Sequence, residues 1–299
     1  MMDDPTTPPE AQTKMVAFSL SIAGLVTMVT GPDAAFITRL QHPYRAFLTS
    51  APPHLTLQLS LNGPFRPADS AGEPVRFHQG RVRLATPTCE GVIDPERGHA
   101  RLSLAEARPD PGRQTATATD VEYMLRVVCA LLAFRAGGVL FHGAGIVRHG
   151  RAYLFFGRSG SGKSTTARLS PDDLVLNDDL VLIMPEPRSG GWMVHATPFS
   201  NPTQVGASGP AAAPLAAMLR LVKSQQVKLD AGGNGHMLAE VLASIPVIPS
   251  NPAYLGTLMG WGQRLLQHVP VYRLHFLRDA SFWQVVEVLG RDIPATGHR

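Results

Sequence analysis

The run Gly157-Arg158-Ser159-Gly160-Ser161-Gly162-Lys163-Ser164 has the spacing G-x-x-x-x-G-K-[ST], in which small residues let successive backbone N–H groups curl around a phosphate. Gly157, Gly160 and Gly162 permit that curvature and a close approach without Cβ clashes. Lys163 is the residue expected to bridge the outer phosphates of a nucleoside triphosphate, and Ser164 the one expected to ligate Mg²⁺. Ser159, Ser161 and Thr165 complete the expected cradle. Four fixed positions arise by chance in on the order of one in a hundred chains of this length. The expectation is a site for ATP and Mg²⁺; the competing reading is a glycine-rich turn that holds nothing.

A second feature follows closely. The apolar stretch Leu174-Val175-Leu176 ends in Asn177-Asp178-Asp179. Two adjacent carboxylates repel each other unless a cation or a shared proton lies nearby, so Asp178 and Asp179 are expected at a metal or a proton-transfer step. A solvated turn is the plain alternative. In most nucleotide-binding loops of this kind the acidic Mg²⁺ partner lies many residues downstream, and here one very short helix intervenes. Neither a transporter-type LSGGQ run nor a GTPase-type NKxD run occurs.

These residues need elements to place them. The run 151–156 (RAYLFF) reads as an apolar strand entering the loop, and a helix from 163 to about 169 is stopped by Pro171. Strands are expected at 139–147, 174–176, 180–184, 192–196, 215–222 and 271–277, with helices at 237–243, 253–267 and 281–289. Apolar residues at helical spacing predict a well-buried helix over 120–134, capped by Asp120 and ended by Gly137-Gly138. His149-Gly150 predicts a turn. Alternating strands and helices indicate an α/β core. Before it, 15–114 reads as a smaller β-rich region, 1–14 as a disordered tail, 107–119 as the link, and 120–299 as the nucleotide-binding domain.

Composition narrows the field. The 299 residues carry 27 Lys and Arg against 23 Asp and Glu, scattered rather than clustered, which gives no footprint for nucleic acid. Cys89 and Cys129 form no CxxC pair and read as buried, reduced side chains, consistent with a cytoplasmic setting. The apolar run 15–30 is too short to span a membrane and follows an acidic flank, so it reads as one long strand or a pair of strands bent at Gly24 rather than an export signal.

The tighter form G-x-S-G-x-G-K-S, the upstream His142-Gly143 and the Asp178-Asp179 pair resemble HPr kinase/phosphorylase and its relatives in the phosphoenolpyruvate-carboxykinase-like group. Leu125-Arg126, Gly137-Gly138 and Thr197-Pro198-Phe199-Ser200 resemble the pattern of HPr-kinase-related proteins associated with peptide modification. The resemblance implies a P-loop core of that type and transfer of the γ-phosphoryl group of ATP to a hydroxyl, a Ser of a protein or peptide. It implies that one of Asp178 and Asp179 accepts the hydroxyl proton while the other, allotted to Asp179, holds Mg²⁺ together with Ser164. His142 would orient a carboxylate or sense the γ-phosphate; a packed strand-end histidine is its alternative. Thr165 departs from the pattern, since HPr kinases carry an acidic residue there.

Lesser candidates are Arg158 within the loop, His195 with Thr197 and Ser200 beside a pocket, and Lys223 and Lys228 as further cations. Trp192, Trp261 and Trp283 read as packing residues, and His99, His236, His268 and His275 lack zinc-ligand spacing. The leading expectation is an ATP-dependent kinase, with homo-oligomerisation left open. A nucleotide-binding regulatory or scaffold protein and a small NTP hydrolase are the alternatives.

Overall fold

The computed structural model describes residues 15–61, 74–105, 116–199, 205–231 and 233–291. The expected tail and most of the expected link lie outside them. The run 15–30 forms two strands, β1 (Val16–Ile22) and β2 (Leu25–Gly31), joined by Ala23 and Gly24, both at positive φ. That backbone twist matches the twist of the paired strands, and glycine adopts it without strain.

After β2 the sequence reading is corrected by a helix it did not anticipate, α1 (Ala34–Gln41), whose first turn is capped by Asp33 accepting from the Phe36 N–H at 2.8 Å. A 3-10 turn, His42–Phe47, follows. Strands β3 (Leu55–Leu61), β4 (Val75–His78), β5 (Arg81–Ala85), β6 (Cys89–Asp94) and β7 (His99–Leu104) complete a seven-stranded sheet in the order β1-β2-β3-β7-β6-β5-β4. In β3, Leu55, Leu57 and Leu59 are buried while Gln58 and Ser60 are exposed, the alternation of a sheet with one wet face.

Helix α2 (Ala116–Arg135) packs against β2, β6 and β7 of this sheet and also against a strand of the second sheet. The run from Val127 to Ala133 is buried at every position, so the helix has no water-facing stripe there. It begins at Ala116, one turn earlier than expected. Asp120 is therefore not its cap but an interior residue whose carboxylate accepts from the Thr86 hydroxyl at 3.3 Å. The small residues ahead of Asp120 are compatible with helix, and the helix continues through them. At the other end, Gly138 N–H donates to Ala133 O (2.8 Å) and Gly137 N–H to Phe134 O (3.1 Å), with Gly137 at φ 82°. This pair of bonds closes the helix, and positive φ at Gly137 is what permits it.

The second sheet has strands β8 (Val139–Arg148), β9 (Arg151–Phe156), β10 (Leu174–Asn177), β11 (Leu180–Pro185), β12 (Trp192–His195), β13 (Ala212–Lys223), β14 (Lys228–Ala231) and β15 (Val271–Phe276). Between them lie α3 (Lys163–Arg168), α4 (Asn234–Leu242) and α5 (Leu255–His268), and α6 (Phe282–Arg291) follows. Only β14 among these was not expected. His149 and Gly150, both at positive φ, form the turn between β8 and β9. The pairings run β8 to β9, β9 to β13, β13 to β12, β12 to β11 and back to β8, a closed circuit from which β15 and β14 extend. The fold is mixed α/β with two sheets, and one apolar core runs from Phe18 through α2 to Val194. All three tryptophans are buried; Trp192 meets Trp261 edge to face, and the Trp283 indole N–H donates to the Ser170 hydroxyl. No helix among the described residues is long and apolar enough to cross a membrane.

Cys89 and Cys129 are free and buried. Burial pushes their thiols up to about 11 and about 12 respectively. Both remain protonated, and poor nucleophiles, at pH 8. Titration of the native protein with a thiol-reactive disulfide at pH 8 is expected to label neither, and addition of guanidinium to release both; labelling of the native protein would contradict this burial.

Candidate functional site

Strand β8 organises the site. Its neighbours β9 and β10–β11 both run antiparallel to it, so they run in the same direction as each other. Phe156, the last residue of β9, pairs with Gly143; Asn177 pairs with Gly145 and Leu180 with His142. The loop that leaves β9 and the two-residue gap at Asp178-Asp179 therefore emerge at the same level along β8. Residues separated by a helix and a strand in sequence become neighbours through register alone.

In the loop, Gly157 (φ 146°), Gly160 (φ 73°) and Gly162 (φ 116°) take backbone conformations that L side chains rarely adopt. A Cβ on Gly162 would also collide with the Phe276 ring. Lys163 is buried, and its ammonium donates to the Gly157 carbonyl at 3.1 Å, across the turn of the loop. Burial lowers its pKa, opposed by the charges of Asp179 and Asp178 and reinforced by Arg220. The Thr166 hydroxyl donates to Lys163 O (2.7 Å) and the Ser170 hydroxyl to Thr166 O (2.9 Å), fastening the short α3. The Ser161 hydroxyl is buried with no partner among the described residues. Arg158, Ser159 and Gly160 are exposed, and Ser164 and Thr165 are half-buried.

Asn177 holds the gap open. Its side-chain oxygen accepts from the N–H groups of Asp179 (2.8 Å) and Leu180 (2.9 Å). Its amide nitrogen donates to Phe199 O (2.9 Å) and Thr197 O (3.2 Å), while the Thr197 hydroxyl donates to Leu180 O (2.6 Å). From β8, Gly143 N–H donates to Asp179 O at 3.0 Å. The N–H and C=O of Asp179 are thus both hydrogen-bonded although the backbone leaves the ladder here.

The two carboxylates have different partners. Asp179 Oδ1 lies 3.0 Å from His142 Nε2, and its Oδ2 is 4.0 Å from Arg126 Nη1. Arg126 is itself fixed to Glu122 one turn earlier in α2, at 2.5 and 3.1 Å. The hydrogen bond from His142 holds Asp179 below the usual carboxylate range despite burial, with Arg126 and Lys163 adding to it. Asp178 moves the other way. Burial raises it and the charge of Asp179 adds to that, while a hydrogen bond with Ser164 opposes. Two neighbouring carboxylates whose environments push them apart can take different chemical roles.

On the far side of the loop, Arg220 of β13, opposite Phe156, binds Glu240 of α4 at 2.9 Å and donates to Leu221 O. Glu240 also lies 3.6 Å from His236. The backbone after α4 reaches the site as well, since Ser244 O accepts from His142 N–H at 2.8 Å.

Lys163, Ser164, Asp178, Asp179 and His142 are therefore brought together. Thr197 turns inward as a brace for Asn177. His195 lies on β12 and lines a cavity of 410 Å³ with Ser21, Phe47 and Thr49. Lys228 pairs with Asp230 at 3.0 Å, which also takes His275 at 2.9 Å. Lys223 lines a cavity beside the loop. Ser200 lies outside the described residues. Among the described residues no three His, Cys, Asp or Glu side chains converge on one metal position. Arg126, Asn177, Arg220 and Glu240 had no assigned role in the sequence. Three of them had a visible signal: a Glu122–Arg126 pair one turn apart on a largely apolar helix, a polar residue ending an apolar strand at Asn177, and a charge inside the apolar run of β13 at Arg220.

Comparison with known proteins gives one family. A model described as ScmC, SynChlorMet cassette protein ScmC, matches residues 113–247. No curated protein matches the chain. The chain is thus similar to ScmC over less than half its length, and this corrects the resemblance to HPr kinase/phosphorylase read from its motifs. The physical reason is that a glycine loop and an acidic pair are a handful of positions dictated by local geometry, too few to separate families that need the same geometry.

Asn177 is buried and bonded on both sides of its amide. Asn177→Ala leaves the Asp179 and Leu180 N–H groups and the Phe199 carbonyl without it. It is expected to destabilise the fold by about 3 kcal/mol, since each buried polar group left unpaired costs roughly 1–3 kcal/mol. Urea denaturation measures this; a midpoint within error of the parent protein would mean the amide braces nothing.

Proposed function

We propose that this site binds ATP with Mg²⁺ and transfers the γ-phosphoryl group to a hydroxyl, with serine of a protein or peptide as the acceptor. The observation that supports it is the meeting of Lys163 and Ser164, at the end of a glycine loop, with two carboxylates held by different partners. A loop that only bound nucleotide would need no such pair. The loop is read as a P-loop: its backbone N–H groups cradle the phosphates, and Lys163 binds the outer ones.

The side chains suit Mg²⁺, which takes one or two protein carboxylates and completes its shell with water and phosphate oxygens. Ser164 and Asp178 are the residues that would hold it, since Asp179 already has His142 and Arg126 beside it. When bound, it supplies neutralisation of charge on the phosphate oxygens. This allots Asp178 to the cation and Asp179 to the proton, the reverse of the sequence expectation. Asp179 accepts the acceptor's hydroxyl proton at its carboxylate. His142 and Arg126 orient that carboxylate and offset its charge. The acceptor has room beside this end of the site, where a cavity of 360 Å³ is lined by Asn177, Thr197, His42 and Arg45.

Lys163→Ala is expected to abolish ATP binding in a calorimetric titration. Asp179→Asn is expected to keep ATP binding and lower phosphoryl transfer about 10²–10⁴-fold, the usual contribution of a positioned base, followed with γ-labelled ATP and a serine-peptide library. ATP binding without transfer to any acceptor would instead identify a nucleotide-responsive regulator, and phosphate release that needs no acceptor would identify a hydrolase.

A further inference from the structure

Beside the glycine loop lies a cavity of 240 Å³. Gly160, Gly162 and Thr165 form its loop side; Lys223 and Arg278 supply its charge and Leu277 an apolar wall. Phe276, buried beneath Gly162, is its floor. Two strand ends build it, since Ser224 N–H donates to Phe276 O at 3.3 Å and so ties the end of β13 to the end of β15. No carboxylate lines it, and neither Lys223 nor Arg278 makes an ion pair among the described residues.

The direction of a bound triphosphate follows from which side chain faces which way. Ser164, Asp178 and Asp179, the side of the proposed transfer chemistry, do not line this cavity. Thr165, the residue after Ser164, opens onto it. A chain of phosphates whose outer end meets Lys163, Ser164 and the carboxylates must therefore leave the loop past Thr165. The volume is below the roughly 300–1,000 Å³ of pockets that enclose a whole ligand of drug size, so it has room for one portion of a nucleotide.

We infer that this cavity is the nucleoside subsite, with Lys223 and Arg278 donating to acceptor atoms of the base and ribose and Leu277 covering an apolar face. The inference rests on the phosphate-loop reading and adds to it where the nucleoside lies and which residues recognise it. It also gives Lys223 a role that charge alone did not specify.

The test compares two probes on the full chain with Mg²⁺, ATP and inorganic tripolyphosphate, which shares the phosphates but has no nucleoside. Ser224→Trp fills the cavity while leaving every residue of the loop unchanged. It is expected to weaken ATP at least ~10-fold, the loss of one or two hydrogen bonds to charged groups, and to leave tripolyphosphate within about twofold. The exposed pair Lys223→Ala with Arg278→Ala, whose melting temperature should match the parent's, is expected to give the same selective loss and serves if the tryptophan variant does not fold. Unchanged ATP affinity in these variants, or equal weakening of both probes, overturns the inference while leaving the loop reading intact. If the parent protein binds neither probe, or Lys163→Ala alters neither, the loop reading itself fails and takes this one with it.

Discussion

A helix buried on every side can exist only between two layers, and α2 imposes that constraint on this molecule. Its run from Val127 to Ala133 has no position left for water. Strands β2, β6 and β7 pack on it from one sheet and β8 from the other, and one apolar cluster runs through it from sheet to sheet. The helix also carries a single fixed charge pair, Glu122–Arg126, and the depth at which it packs brings Arg126 to the Asp179 carboxylate. The same packing that satisfies apolar surface thereby sets an electrostatic feature of the site.

Around that frame, β8 acts as a ruler. Gly143 and Gly145 leave space on both of its sides, where a Cβ at Gly143 would come to 3.0 Å from Phe155 O and one at Gly145 to 3.1 Å from the Val181 side chain. Since β9 and β10–β11 share one direction and one level against it, a break in the second places two carboxylates next to the loop that ends the first. Asn177 makes the break sustainable, because its amide replaces ladder hydrogen bonds that the backbone gives up there. An unbraced gap would leave buried N–H groups unpaired.

Charge is balanced locally, which is why the net +4 of the whole chain says little about the site. Arg220 hydrogen-bonds Glu240 at 2.9 Å, Arg126 comes within 4.0 Å of Asp179, and the charges of Asp179 and Asp178 act on Lys163. An added anion would change the partner of each cation rather than meet an excess of positive charge. Such sites depend on geometry, since buried ions tolerate exchange only for equally good partners.

Much of this was legible in residue order. The glycine run, Lys163, Ser164 and the Asp178-Asp179 pair stand out because the local backbone demands them, and most strands and helices of the second sheet follow from periodicity and from Gly and Pro punctuation. Helix α1 was not anticipated, as its eight residues and single cap at Asp33 are a weak local signal. Asp120 was misplaced for the opposite reason: a capping residue type sits inside a helix that continues through the small residues ahead of it. Family membership could not be read from a few motif positions. What sequence determined by itself was the chemistry available, because residue types and near-neighbour spacing are local. Tertiary structure decided the partners: Arg126 and His142 at Asp179, Arg220 at Glu240. Those pairings depend on strand register and on the depth of one helix, quantities that no stretch of neighbouring residues contains.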